Sequence, residues 1–270
     1  MRLFVAGLRK LVRRPATYVT FGLLTGLLAL ILIAVGATAG RSASNGGGRQ
    51  ALLLVTFPGA YTLILSFILG LGGLFAVIYG AAIAGSEWTW GTLKSAVARG
   101  ESRSRYQLLS FAAIAVLLGV GLVAAFAVGV VVAVIGASLG NVSIAGVGDS
   151  ATLGTIPELL GRGWLASVEE GALGFAIATL ARSQLAGIGA GIAVYFGEQF
   201  ATIFLPDIVK FLPFNAATAV VATSGGGGGF GGGGTIARLE PNTALIVIAI
   251  WLVGALVVSA LFTERAEISG

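Results

Sequence analysis

Few residues in this chain are equipped to do chemistry. Its 270 residues include no histidine and no cysteine, which excludes imidazole bases, thiolate nucleophiles, disulfides and Cys/His metal sites together. What remains is a small set of charges in unusual places. Three glutamates, Glu169, Glu170 and Glu198, sit inside long apolar runs, and a compact charged segment, SEWTWGTLKSAVARGESRSR (86–105), separates two more such runs. A charged group in hydrocarbon costs about 2.5–3.5 kcal/mol on cellular insertion scales, so such carboxylates face a protein interior or a wet cavity. Glu158, Arg162 and Glu169 are spaced by four and then seven residues and stack on one helical face, where a carboxylate–guanidinium stripe would lessen that cost. Two readings stand for Arg162, Glu169, Glu170 and Glu198: they line a pathway or carry protons, or they make structural polar contacts between helices. As a hydrolytic pair Glu169 and Glu170 fail, because neighbours on a helix diverge by about 100°.

Other chemical motifs dissolve on inspection. GVGD (146–149) matches the string of intramembrane aspartyl proteases, but the other aspartate, Asp207, follows a proline in a loop. A serine protease site of the rhomboid kind needs a histidine. GVGLVA (119–124) fits a dinucleotide fingerprint but lies mid-run with no strand before it, which makes it a helix-packing element. The three lysines follow Arg9, Leu93 and Val209 and never the glycine of a Walker A loop, so the chain is not expected to hydrolyse ATP by itself.

The elements that hold these residues follow from composition. With 57% hydrophobic residues, 10% charged residues and a mean hydropathy of +0.99, the chain reads as an all-α polytopic membrane protein. Continuous rather than alternating apolar runs argue for helices over a barrel. Six spans are expected, at roughly 17–39, 56–84, 107–137, 159–181, 185–206 and 242–263, in a single transmembrane domain covering 1–270. A cytoplasmic N-terminus leaves only Arg41, Arg49, Arg162, Lys210 and Arg238 of the 16 basic residues at or beyond the outer face, and six spans return the C-terminus to the cytoplasm. The chain is therefore expected in the cytoplasmic membrane, multi-pass, with both termini inside.

The N-terminus resembles a signal peptide, a basic region before a hydrophobic one with ATAG (37–40) as a cleavage site, but the apolar run is too long, and it is read as a retained first span. Before it, Phe4, Leu8, Leu11 and Val12 fall on one side of a helix and Arg2, Arg9, Lys10, Arg13 and Arg14 on the other. That is an interfacial elbow helix with its basic face toward anionic headgroups, or else a solvated basic tail that enforces topology. SNGGGRQ (44–50) and SGGGGGFGGGG (224–234) read as flexible external linkers. The apolar piece 205–221, broken by Pro206 and Pro213, is too short to span and reads as a re-entrant or interfacial part of an outer loop over 207–241. Gly22/Gly26 and Gly187/Gly191 have GxxxG spacing, which serves a subunit interface or internal packing.

The charged segment reads as a short amphipathic helix over 86–101, with Ser86 and Glu87 at its start, Gly100 at its end and Ser102 capping the next helix. Trp90, Leu93 and Val97 recur at helical spacing. Tethered to two spans, such a helix suits insertion into a groove on a soluble partner, or it lies on headgroups alone. The string Glu87, Gly91-Thr92-Leu93-Lys94, then Gly100-x-Ser102-Arg103 resembles the signature of ABC-2 type transporter permeases. The basic elbow, ARSQLA (181–186) and LPFN (212–215) agree with it, while Phe111 stands where members often carry a lysine. The resemblance implies that 86–101 is a coupling helix. Glu87, Thr92, Lys94 and Arg103 would couple it to two copies of a cytoplasmic nucleotide-binding subunit, with Trp90 and Leu93 as apolar anchors and Gly91, Gly100 and Ser102 completing the motif. It implies a homodimer of this chain moving substrate outward, ATP and Mg held by the ATPase and no cofactor or metal by this chain, with membrane lipids but no nucleic acid as further partners. Two rivals come from other classes: an ion-driven carrier using the buried glutamates, and a non-transporting membrane anchor for an ATPase.

Overall fold

The computed structural model describes residues 2–42, 54–221 and 239–266, and both glycine-rich stretches fall outside them. Every long element among the described residues is an α-helix. In chain order these are α1 (Arg2–Val12), α2 (Pro15–Ser42), α3 (Gly59–Thr89), α4 (Thr92–Val97), α5 (Arg103–Leu139), α6 (Ser150–Ala181), α7 (Gln184–Phe204), α8 (Pro206–Val209), α9 (Pro213–Ala219) and α10 (Pro241–Arg265). Their boundaries have local causes. Proline opens α8, α9 and α10, where its missing N–H would be unpaired in any case. Asp149 caps α6 by accepting from the Thr152 backbone N–H at 3.1 Å, and the Thr152 hydroxyl also donates to it. That hydroxyl and then that amide hold the Asp149 carboxyl below its ordinary value. The aspartate of GVGD is therefore a helix cap. Arg182, at φ +50°, breaks the chain between α6 and α7, and Ser183 caps α7 through the Ala186 amide at 3.3 Å.

Five helices, α2, α3, α5, α6 and α10, are long and apolar enough to cross a membrane. The fifth expected span, 185–206, exists as a helix of 21 residues, α7, but is not among them. Glu198, Gln199 and four glycines dilute its apolar content. The fourth span is longer than the apolar run suggests, because the cap at Asp149 lets the helix start at Ser150 rather than near 159.

Packing centres on α3 and α6, whose backbones touch where glycines meet. A Cβ at Gly80 would enter the Gly171 carbonyl, and one at Gly174 would enter that of Val77. Water drives nothing between helices in lipid, so close backbone approach through small residues supplies the attraction. Gly187 and Gly191 do the same for α7, lying against Ala178 of α6 and Val77 of α3, whereas Gly22 and Gly26 on α2 meet nothing. Of the two readings of the GxxxG pairs, internal packing holds for Gly187/Gly191. The helix α9 returns into the bundle, its Pro213, Phe214, Ala216, Ala217 and Ala219 all buried.

At one end of the bundle lie α1, α4, the end of α3, the start of α5 and the end of α10. The helix α1 packs on α5. Leu11 is buried, and Phe4 and Leu8 pack against the cluster that includes Phe111 and Ala113. Val12, expected on the same face, is exposed. The helix α1 thus covers protein with its apolar side.

Candidate functional site

The charged segment folds as two pieces rather than as one helix over 86–101. The helix α3 continues through Ser86 and Glu87 to Thr89, the chain turns at Gly91 with φ +63°, and α4 runs only from Thr92 to Val97. A positive φ is close to free for glycine and strained for other residues, which explains Gly91 and likewise Gly100 at φ +86° on the far side of α4. Ser102 stands at the start of α5 in extended conformation, but its hydroxyl makes no capping bond.

Glu87 is buried and forms the centre of this region. Its Oε1 accepts from Lys10 Nζ of α1 at 2.6 Å. Its Oε2 accepts from Tyr106 OH of α5 at 2.7 Å and from the Thr92 hydroxyl of α4. One carboxylate therefore ties four helices together. Arg14 strengthens the tie: its Nη1 donates to Ser86 Oγ at 2.8 Å, and its guanidinium lies 5.0 Å from the Trp90 ring centroid. Lys10, expected to face headgroups, is turned toward protein.

Arg103 points sideways. Its Nη1 donates to the Glu264 and Ala266 carbonyls at 3.2 and 2.8 Å, closing the C-terminal end of α10, and the Ser104 amide donates to Glu264 Oε1 at 3.2 Å. Arg182 lies 5.4 Å from the Trp88 ring and 5.2 Å from Phe262, joining the α6–α7 break to α3 and α10. Just beneath, a buried polar cluster links α5, α6 and α10. Gln107 Oε1 accepts from Thr263 at 2.8 Å and from Ser259 at 3.1 Å, and its amide donates to Thr179 at 3.4 Å.

The expected coupling residues therefore divide. Glu87, Gly91, Thr92, Leu93 and Arg103 work inside the chain. Leu93 is only 2% exposed, packed inward, and cannot serve as an anchor in a groove of another protein. Trp90, at 64% exposure, and Lys94 face outward. Lys10, Arg14, Tyr106 and Arg182 belong to the site although the sequence reading did not place them there.

The three glutamates of the apolar runs also divide. Glu198 accepts from the Asn215 amide at 2.6 Å, the Asn215 side-chain amide at 2.8 Å and the Phe214 amide at 3.3 Å. It stabilises the first turn of α9 from another helix, which is the structural alternative, and it gives LPFN its meaning. Glu169 and Glu170 are fully buried, and none of their four carboxylate oxygens has a hydrogen-bond partner among the described residues. Glu170 packs on Gly73 of α3, where a Cβ would collide with its carboxylate. The expected stripe does not reach them: Arg162 pairs with Glu158 at 2.6 Å and donates to Asn242 Oδ1 at 3.3 Å. Arg162 thus joins α6 to α10 at the end of the bundle opposite Glu87. Nearby, Tyr195 OH donates to the Gly70 carbonyl at 3.1 Å, and Tyr195 meets Phe214 edge to face at 4.9 Å. No group of three acidic residues among the described ones converges as a metal site would require.

In comparisons with known proteins, no family model and no curated relative matches the chain.

Proposed function

We propose that the chain is the membrane-spanning subunit of an ABC-2 type exporter, working as a homodimer in the cytoplasmic membrane with an ATPase subunit bound at the Glu87 end. In this reading α7 crosses the membrane as a sixth span and both termini are cytoplasmic. The observation that carries it is the Glu87 tie. The G-T-L-K motif forms a turn at Gly91 and a small helix whose inner face is fastened by one carboxylate to α1, α3 and α5; its outer face offers Lys94, and Trp90 is exposed just before the turn. A push on that outer face would reach three helices at once, and Arg103 and Arg182 extend the linkage to α10 and α6. The energy source is a separate ATPase, since the chain carries no phosphate-binding loop.

The test reconstitutes the chain in vesicles with the ATPase subunit that the reading requires. Trp90→Ala combined with Lys94→Ala should leave insertion and folding intact and uncouple ATP hydrolysis from transport. Coupled transport at the wild-type rate in that double variant would defeat the proposal. The unpartnered Glu169 and Glu170 favour one second reading, an ion-driven carrier. Uphill transport by the purified chain alone on a proton gradient, abolished by Glu169→Gln with Glu170→Gln, would establish that reading instead.

A further inference from the structure

Between α1, α4 and α5, beside the Glu87 tie, lies a cavity of about 300 Å³. Lys10, Glu87, Arg99, Ser95 and Ser110 line it together with the apolar Ala6 and Leu109. Lys10 is already balanced by Glu87 at 2.6 Å. Arg99, in the turn after α4, has no side-chain partner among the described residues and supplies the uncompensated positive charge. We propose that this cavity binds the phosphate headgroup of an anionic phospholipid.

Three observations converge on a lipid. The first is chemistry: a guanidinium and an ammonium beside two serine hydroxyls form a donor set matched to phosphate oxygens. The second is composition, because a lining that mixes charged and apolar side chains suits a molecule with a charged head and a hydrocarbon body, and free phosphate has no use for Ala6 and Leu109. The third is place. The cavity lies where the candidate span α3 ends and α5 begins, the level at which headgroups would lie in the proposed topology, and basic pockets between helices at that level are known headgroup sites. Arg9 and Arg13, exposed on or just after α1, add a surrounding positive field without touching the cavity. A headgroup there would fill the space between elbow helix and short helix, beside the carboxylate that ties them. The proposal stands whether or not an ATPase docks on the outer face of α4.

The experiment is native mass spectrometry of the full chain released from nanodiscs of equal phosphatidylglycerol and phosphatidylcholine. Wild type should retain phosphatidylglycerol preferentially. Arg99→Gln should lower that preference about fivefold, the equivalent of about 1 kcal/mol for one basic residue at a membrane surface. Arg99→Lys should restore most of it, and Arg13→Gln should leave it unchanged. Equal retention of both lipids by wild type would overturn the proposal, as would an Arg99→Gln variant with undiminished preference. An equal loss in Arg13→Gln would assign the effect to diffuse surface charge, and displacement of the lipid by added inorganic phosphate would assign the cavity to a free anion; either result also overturns it.

Discussion

Replacing Glu87 by alanine removes one acceptor from three donors at once, and the size of the effect follows from how each donor is placed. A hydrogen bond to a charged group is worth about 1.5–3 kcal/mol. The Tyr106 and Thr92 hydroxyls lie in partly buried positions and lose most of that value. The Lys10 side chain keeps 35% exposure and rehydrates, so its share is closer to that of a surface pair, about 0.5–1 kcal/mol. The expected loss for Glu87→Ala is therefore about 3–5 kcal/mol. Glu87→Gln retains an acceptor oxygen and should lose about 1–2 kcal/mol, and Lys10→Met should lose about 1 kcal/mol. Combining Glu87→Gln with Lys10→Met leaves no unpaired charge, so the double variant should be more stable than additivity predicts by about 1 kcal/mol. Equilibrium unfolding in mixed micelles of rising SDS content, followed by tryptophan fluorescence, reads all four proteins, with Trp88 and Trp90 adjacent to the tie. A loss below about 1 kcal/mol for Glu87→Ala, or a cycle additive within about 0.5 kcal/mol, would refute the claim that this carboxylate fastens the helices together.

Other outcomes follow from the same geometry. Glu170→Leu should stabilise the folded chain by about 1–4 kcal/mol, since it replaces a buried carboxylate that has no partner among the described residues by an apolar group of similar volume; a destabilised variant in the same unfolding assay would mean that the carboxylate has a partner. Glu198→Ala should free the first turn of α9, visible as faster hydrogen exchange of the Phe214 and Asn215 amides, whereas Glu198→Gln, which keeps an acceptor oxygen, should speed it less. Gly80→Leu should prevent the α3–α6 contact and abolish the folded monomer, while Gly22→Leu, in open space, should fold normally, as size-exclusion profiles will report. The Asp149 carboxyl titrates below its ordinary value, so its contribution to the first turn of α6 is present at neutral pH and fades as the pH falls through the folded value. Protection of the Thr152 amide should therefore drop on acidification in wild type and stay constant in Asp149→Asn.

Much of the fold was legible because apolar length is a strong signal. Uninterrupted runs fixed the long helices to within a few residues, except where a polar cap such as Asp149 extended one into residues that composition assigns to a loop. The GTLK string has local structural causes: Gly91 for its positive φ, Thr92 for its bond to Glu87, Leu93 for burial. Periodicity alone misassigned the direction of the side chains. Trp90, Leu93 and Val97 share a face on an unbroken helix, and the break at Gly91 separates Trp90 from the others. Lys10 and Tyr106 were invisible as partners of Glu87, because 77 and 19 residues separate them from it and no spacing rule reaches across an interhelical contact. The same blindness applied to Glu198, whose acceptors serve amides brought beside it by α9 folding back into the bundle.

Sidedness tests the central claim most directly, and a chain without cysteine permits it without background. Single cysteines at Ala98, Ala145 and Asp207 can be probed with a membrane-impermeant maleimide on right-side-out and inverted vesicles. The account predicts that Ala98→Cys reacts only from the cytoplasmic side, and that Ala145→Cys and Asp207→Cys react only from the outer side. Labelling of Ala98→Cys from outside would contradict an ATP-driven coupling element at the Glu87 end, and labelling of Asp207→Cys from inside would contradict α7 as a span.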